Sequence, residues 1–356
     1  MKKLLVLLSL VLSVAGLAAC NSSEEVVNVY TTRHYDADDA LYEQFTKETG
    51  IRVNVITDEG YVSVSKIKEQ GETTDADVFI TSDAGNLAFA KSEGIFQSIE
   101  SQTLNQNIPS IYRDVDNYWF GLTKRARVLL YSTERVTMDE LEGLTYENLV
   151  TNERWNDQVL VRSSSNIYNQ SLIASFIEVM GKEQAKMWVE QLVEVMAREP
   201  EGNDRVQAVA VKDGEGDIAI ANSYYYGKLV NETDTESKYY GVSDVVGIYF
   251  PNQGANESGV HVNISGAGVI KHAKNKDNAI KLIEFLSEKS QQEAFSATNY
   301  EFPVNPKAQV SDLLQSWLDA QNITVLKEQG IDLSNLGDNN QEALNIMIES
   351  KWDQPE

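Results

Sequence analysis

Short β-branched runs alternate with amphipathic stretches along most of the chain, and that alternation restricts it to an α/β fold. Val26 to Thr31 predicts a strand, and Asp38 to Glu48 a helix with Leu41, Tyr42 and Phe45 on one face. Gly50 fits the C-terminal stop of that helix. Ile51 to Ile56 predicts a second strand, Ser63 to Gln70 a helix, and Ala76 to Thr81 a third strand. Leu87 to Ser92 is helical and closed by Gly94. Trp119 to Gly121 and Arg127 to Ser132 read as strand entering a second unit. There Gln158 to Val161 and Asp217 to Ala221 are strands, and helices Gln170 to Met180 and Glu183 to Ala197 are separated by Gly181. Val245 to Phe250 and Val260 to Ile264 follow as strands, then a helix from Asn278 to Glu288 and helical material beyond Pro306. No long polar linker parts the chain, so two lobes joined by several extended crossings are expected.

The chain begins with Lys2 and Lys3, an apolar run from Leu4 to Leu17, and then Leu17-Ala18-Ala19-Cys20. The run is too short and too early for a comfortable spanning helix. Small residues leading to the only cysteine resemble a bacterial lipoprotein signal, in which that thiol receives a diacylglycerol group. The resemblance implies removal of residues 1–19, a lipidated tether over 20–25, and an extracytoplasmic protein held to a membrane by acyl chains. With Cys20 consumed no disulfide is possible, and the roughly 335 residues that remain must be stabilised by burial, enough for two domains. That mature chain carries 28 basic against 54 acidic residues, a net of −26. Such a surface repels nucleic acid and anionic lipid heads, so neither is expected as a ligand.

Three segments share one topological feature. His34-Tyr35 follows the strand Val26 to Thr31, Tyr168 follows the strand Gln158 to Val161, and Tyr224-Tyr225-Tyr226 follows the strand Asp217 to Ala221. Open α/β sheets gather their ligands beyond the carboxyl ends of strands. Neighbouring residues within a strand diverge, but at a strand-to-helix turn the backbone rotates by about 100° per residue, so consecutive side chains can address one point. Phenolate oxygen is a hard anionic donor, and hard metals choose oxygen. Free tyrosine has a pKa near ~10, so only a strong Lewis acid holds several phenolates at neutral pH, and ferric iron fits best. Zinc or copper would collect histidines, of which His34, His261 and His272 are the only three, and no calcium loop appears. Each feature alone has an ordinary explanation. Sixteen tyrosines make a Tyr-Tyr pair such as Tyr239-Tyr240 commonplace, and Ser163 to Asn166 reads equally as a helix start.

The matching stretches Val29 to Tyr35, Gly121 to Arg127, Arg162 to Ser171 and Asn222 to Gly227 resemble, in the same order, the bacterial ferric-iron-binding proteins that serve ABC importers, in particular a tyrosine-rich branch. The resemblance runs from about Val26 to at least Pro306. It implies a two-lobe periplasmic-binding-protein fold of type II, each lobe a mixed sheet flanked by helices with the ligand in the cleft. Lobe 1 would comprise 26–125 plus 255–303, and lobe 2 would comprise 126–254 plus 304–356. It also implies a ferric ligand set of His34, Tyr35, Tyr168, Tyr224 and Tyr225, with Tyr226 as packing. Because Tyr35 is present, no synergistic anion is expected to be required. Four phenolates, Fe³⁺ and a neutral imidazole leave one net negative charge, which Arg33, Arg127 or Arg162 would balance from outside the ligand set. The implied partners are an inner-membrane ABC permease and its ATPase, with the protein a monomer and not an enzyme.

Two other classes compete. A same-fold receptor for an organic ligand could stack a polyamine on its aromatic rings, or hold a phosphonate at the Ser163-Ser164-Ser165 turn. An extracellular hydrolase would need a nucleophile elbow or a His-Glu-x-x-His run, and the chain has neither. A pair of glycosidase carboxylates could still be drawn from so many acids.

Overall fold

The computed structural model describes residues 25–33 and 35–355. The signal, Cys20 and His34 lie outside the described residues. Among those residues no helix is long and apolar enough to cross a membrane.

Among the described residues nine strands form one sheet: β1 (Val26–Thr31), β2 (Arg52–Thr57), β3 (Val78–Thr81), β4 (Phe120–Ser132), β5 (Val159–Leu160), β6 (Ile218–Asn222), β7 (Val246–Tyr249), β8 (Val262–Val269) and β9 (Phe302–Pro303). Their order is β2-β1-β3-β8-β4-β6-β5, with β7 and β9 also paired to β4. β1 is parallel to β2 and β3, as βα units require, whereas β8 runs antiparallel to both β3 and β4. The mixed α/β architecture expected from sequence is therefore present.

The helix Asp36–Thr49 shows how the local pattern works. It starts two residues earlier than the apolar face suggested, because Asp36, Asp38 and Asp39 put negative charge at its positive end. It buries Leu41, Tyr42 and Phe45, with Phe45 5.4 Å from the Phe285 ring. Gly50 ends it at φ 76°, where its N–H reaches the Thr46 carbonyl.

Two strands differ from the sequence reading. β4 is continuous where two pieces were expected, because the intervening charged side chains find partners: Lys124 bonds Glu328 at 2.6 Å, and the buried Arg125 donates to the Ser82 carbonyl. The first half of β4, to Ala126, pairs with β8, and the second half, from Arg127, pairs with β6 and β7. β8 runs on past Ile264 through Ser265-Gly266-Ala267-Gly268, residues that weaken a strand by propensity alone. The glycines are there for contact: a Cβ on Gly266 would lie 2.7 Å from the Phe120 carbonyl oxygen, and one on Gly268 2.5 Å from the Phe96 ring.

His261, just before β8, is buried and shares a hydrogen bond of 3.1 Å between Nδ1 and Gln329. Burial pulls its pKa down to about 3. The unfolded chain takes up this proton below the ordinary histidine pKa, so stability is present above that value and is lost as pH falls toward the folded one. We expect the urea midpoint to drop between neutral pH and pH ~5, and His261→Asn to flatten that slope. An unchanged slope in the variant would remove His261 from the pH response.

Candidate metal centre

Three helix starts deliver the phenols. Tyr35 is the N-cap of Asp36–Thr49, with extended backbone at φ −110° and ψ 135°. Tyr168 opens the helix Ile167–Met180, where the Asn166 side chain accepts a hydrogen bond from its N–H at 3.1 Å. Tyr224 and Tyr225 lie in the first turn of Ser223–Val230, directly after β6. Gly227 in that helix admits the Tyr300 ring, since a Cβ there would lie 2.2 Å from it.

The hydroxyls converge. The Tyr35 hydroxyl donates to Tyr224 Oη at 3.4 Å, and Tyr168 Oη is also 3.4 Å from Tyr224 Oη. The Tyr224 and Tyr225 rings lie 4.2 Å apart at 30°, so consecutive residues at this turn do share one direction. Tyr226 turns away and packs its ring 5.3 Å from Trp317. Among the described residues no group of three or more His, Cys, Asp and Glu side chains comes together. The oxygen cluster here is phenolic.

Burial, reinforced by the neighbouring Tyr168 phenol, pushes Tyr35 and Tyr224 well above the ordinary tyrosine pKa. The same two causes push Tyr225 up to about 12. Without a cation Tyr35, Tyr224 and Tyr225 therefore keep their protons, and the hydroxyls bond one another. Ionising them takes a positive charge of high density placed among the oxygens.

Cations surround the rings. The Lys228 ammonium is 4.3 Å from the Tyr35 ring centre and 5.4 Å from that of Tyr224, and burial lowers its pKa. Of the three arginines singled out from sequence, Arg33 and Arg162 lie against rings of the cluster, and all three are already engaged by carboxylates. Arg33 bonds Asp38 at 2.7 Å and Glu301 at 2.9 Å while lying 4.8 Å from the Tyr35 ring centre. Arg127 bonds Asp204 at 2.8 Å, and Arg162 reaches the same carboxylate at 3.2 Å.

Sequence reasoning missed Arg125. It is 2% exposed, lies 5.1 Å from the Tyr168 ring centre, and donates to the Ser82 carbonyl. Arg125 makes no ion pair among the described residues. Burial disfavours its charge, but the Tyr168 and Tyr224 phenols and Asp83 outweigh that and keep it protonated. The signal was available: in a strand, residues two apart share a face, so Arg125 accompanies Arg127. Asp204 was also missed. It accepts from the Asn222 N–H at 2.7 Å as well as from the two arginines, tying the end of β6 to β4 and to the Tyr168 segment.

The competing organic-ligand sites are occupied by the chain itself. A polyamine needs free carboxylates, whereas Asp38, Glu301 and Asp204 are each bonded to arginine. The Ser163-Ser164-Ser165 turn already holds an anion, the Asp353 carboxylate, which accepts from the Ser164 N–H at 2.9 Å.

Residues 40–322 match the family described as bacterial extracellular solute-binding protein. The chain belongs to that family. It is 40% identical to iron uptake protein A1 of Synechocystis over 95% of this chain and 90% of that one. It is 28% identical to the major ferric iron-binding protein of Neisseria meningitidis over 82% of this chain and 85% of that one. Among solved structures it superposes on the Trichodesmium protein in complex with iron and citrate ligands with a TM-score of 0.84 at 44% identity, covering 92% and 99% of the two chains. Apo FutA2 from Synechocystis gives 0.83 at 40%, with the same coverage. The family and the binding-protein fold implied by the four sequence stretches are thus both found.

Proposed function

We propose that this protein is a ferric-iron receptor, and that the observation carrying the proposal is the meeting of Tyr35, Tyr168 and Tyr224 hydroxyls, with Tyr225 stacked beside them, from three separate strand ends. Tyr35, Tyr168, Tyr224 and Tyr225 would ligate through phenolate oxygen and His34 through an imidazole nitrogen, with no obligatory anion. Arg125 would balance the remaining negative charge, because its guanidinium has no carboxylate partner of its own. Iron contacting both lobes would favour the closed form by its differential affinity for that state. The closed form would then dock on an ABC permease and its ATPase, with Cys20 carrying the lipid anchor and the receptor working as a monomer without catalysis. Identity to iron uptake proteins over nearly the full chain supports this reading.

The test is optical and potentiometric. Metal-free protein given ferric citrate should turn red to purple through phenolate-to-iron charge transfer and release several protons per iron. Affinity should fall on acidification, since every phenolate ligand competes with a proton. A colourless product, or an affinity that stays constant from neutral to mildly acidic pH, would sink direct phenolate ligation.

A further inference from the structure

The C-terminal tail grips the segment that presents Tyr168, 189 residues away in sequence. The Asp353 carboxylate accepts from both the N–H and the hydroxyl of Ser164. Beside it the Trp352 indole, 1% exposed, donates to the Arg162 carbonyl at 2.7 Å. From the preceding helix, Asn340–Glu349, the Asn340 amide donates to Gln170 at 3.2 Å, and Gln170 in turn donates to the Ser164 carbonyl at 2.9 Å.

These ties act on Arg162 and Ser164 ahead of the helix Ile167–Met180 and on Gln170 in its first turn. Further along, the Tyr168 helix is fixed by apolar burial of Leu172, Ile173 and Phe176, with Phe176 4.7 Å from the Trp188 ring. Asp353, which bonds only Ser164 ahead of that helix, therefore adds little to whether the helix forms. The tail sets where residues 162–166 sit, and with them the first turn that carries the phenol. Arg162, whose carbonyl Trp352 holds, also lies 5.6 Å from the Tyr168 ring centre.

We propose that Trp352 and Asp353 are positioning residues for metal capture, Asp353 acting as a built-in anion that fixes the Tyr168 turn in the geometry its hydroxyl needs to reach the cluster. The inference rests on the ferric reading above. Asp353 is exposed and meets the turn only through polar contacts, so its removal leaves the core untouched.

The experiment uses the full mature protein loaded with ferric iron. Asp353→Ala should keep the far-ultraviolet dichroism of the parent and release iron to a competing chelator about tenfold faster, the low end for groups outside the ligand set. The charge-transfer band should shift with it. Formate, a free carboxylate small enough to replace the missing one, should restore most of the retention. Trp352→Phe, which removes the N–H donor along with part of the buried ring, should act in the same direction. Lys186→Met cuts the Lys186–Glu349 bridge at 2.9 Å, loosening the same C-terminal helix away from the turn, and should leave release unchanged. Release in Asp353→Ala equal to the parent overturns the proposal, as does equal acceleration by Lys186→Met. A parent protein that shows no band overturns the ferric reading and this inference together.

Discussion

Tyr224→Phe should lower ferric affinity by more than about 100-fold, exceeding the loss usual for groups outside a ligand set. Tyr224 is the hub: both Tyr35 and Tyr168 approach its oxygen at 3.4 Å, and its ring is fully buried. The variant keeps the ring and deletes the oxygen, so the metal-free fold should survive with little change in melting temperature. Tyr226→Phe is the control, since Tyr226 packs against Trp317 and outside the cluster. It should bind iron like the parent. Equal affinities in Tyr224→Phe and the parent, with the colour band intact, would remove Tyr224 from the ligand set. A large loss in Tyr226→Phe would show that the tandem tyrosines had been assigned in the wrong order.

Arg125→Met should weaken iron binding by about 10- to 100-fold while preserving most of the side chain's packing. The guanidinium lies against Tyr168 with no carboxylate bonded to it, so its charge is available to phenolates as they form. Arg127→Met makes the contrast. Its loss leaves the buried Asp204 carboxylate with only Arg162 at 3.2 Å and the Asn222 N–H at 2.7 Å, which should cost about 2–3 kcal/mol of folding stability. Denaturant melts and iron titrations on both variants would separate the two roles. Should Arg125→Met bind iron normally and melt early, its charge serves the fold alone.

The tyrosines were legible because their placement is local. A strand followed at once by a helix can be read in a short window, and the end of the strand is where ligands gather. The need for a strong Lewis acid also followed, since free tyrosine has a pKa near ~10. What the sequence hid is carried by pairings across long separations. Arg127 meets Asp204 77 residues away, and Ser164 meets Asp353 after 189. Nothing in either neighbourhood announces the partner. The expectation that Arg33, Arg127 or Arg162 would balance the site failed to foresee the carboxylates that engage them. The arginine left over, Arg125, sat inside a stretch already singled out. The extent of β8 was hidden for another reason: its glycines make room for the Phe120 backbone and the Phe96 ring, and such contacts have no local signature.

β4 runs without interruption from the β8 ladder into the β6 ladder. The two sets of pairings thus share one spine. The closure proposed above would have to bend that ribbon between Ala126 and Arg127, where its partner changes. Heat should dissolve both sets of pairings in a single cooperative step, because β4 belongs to each.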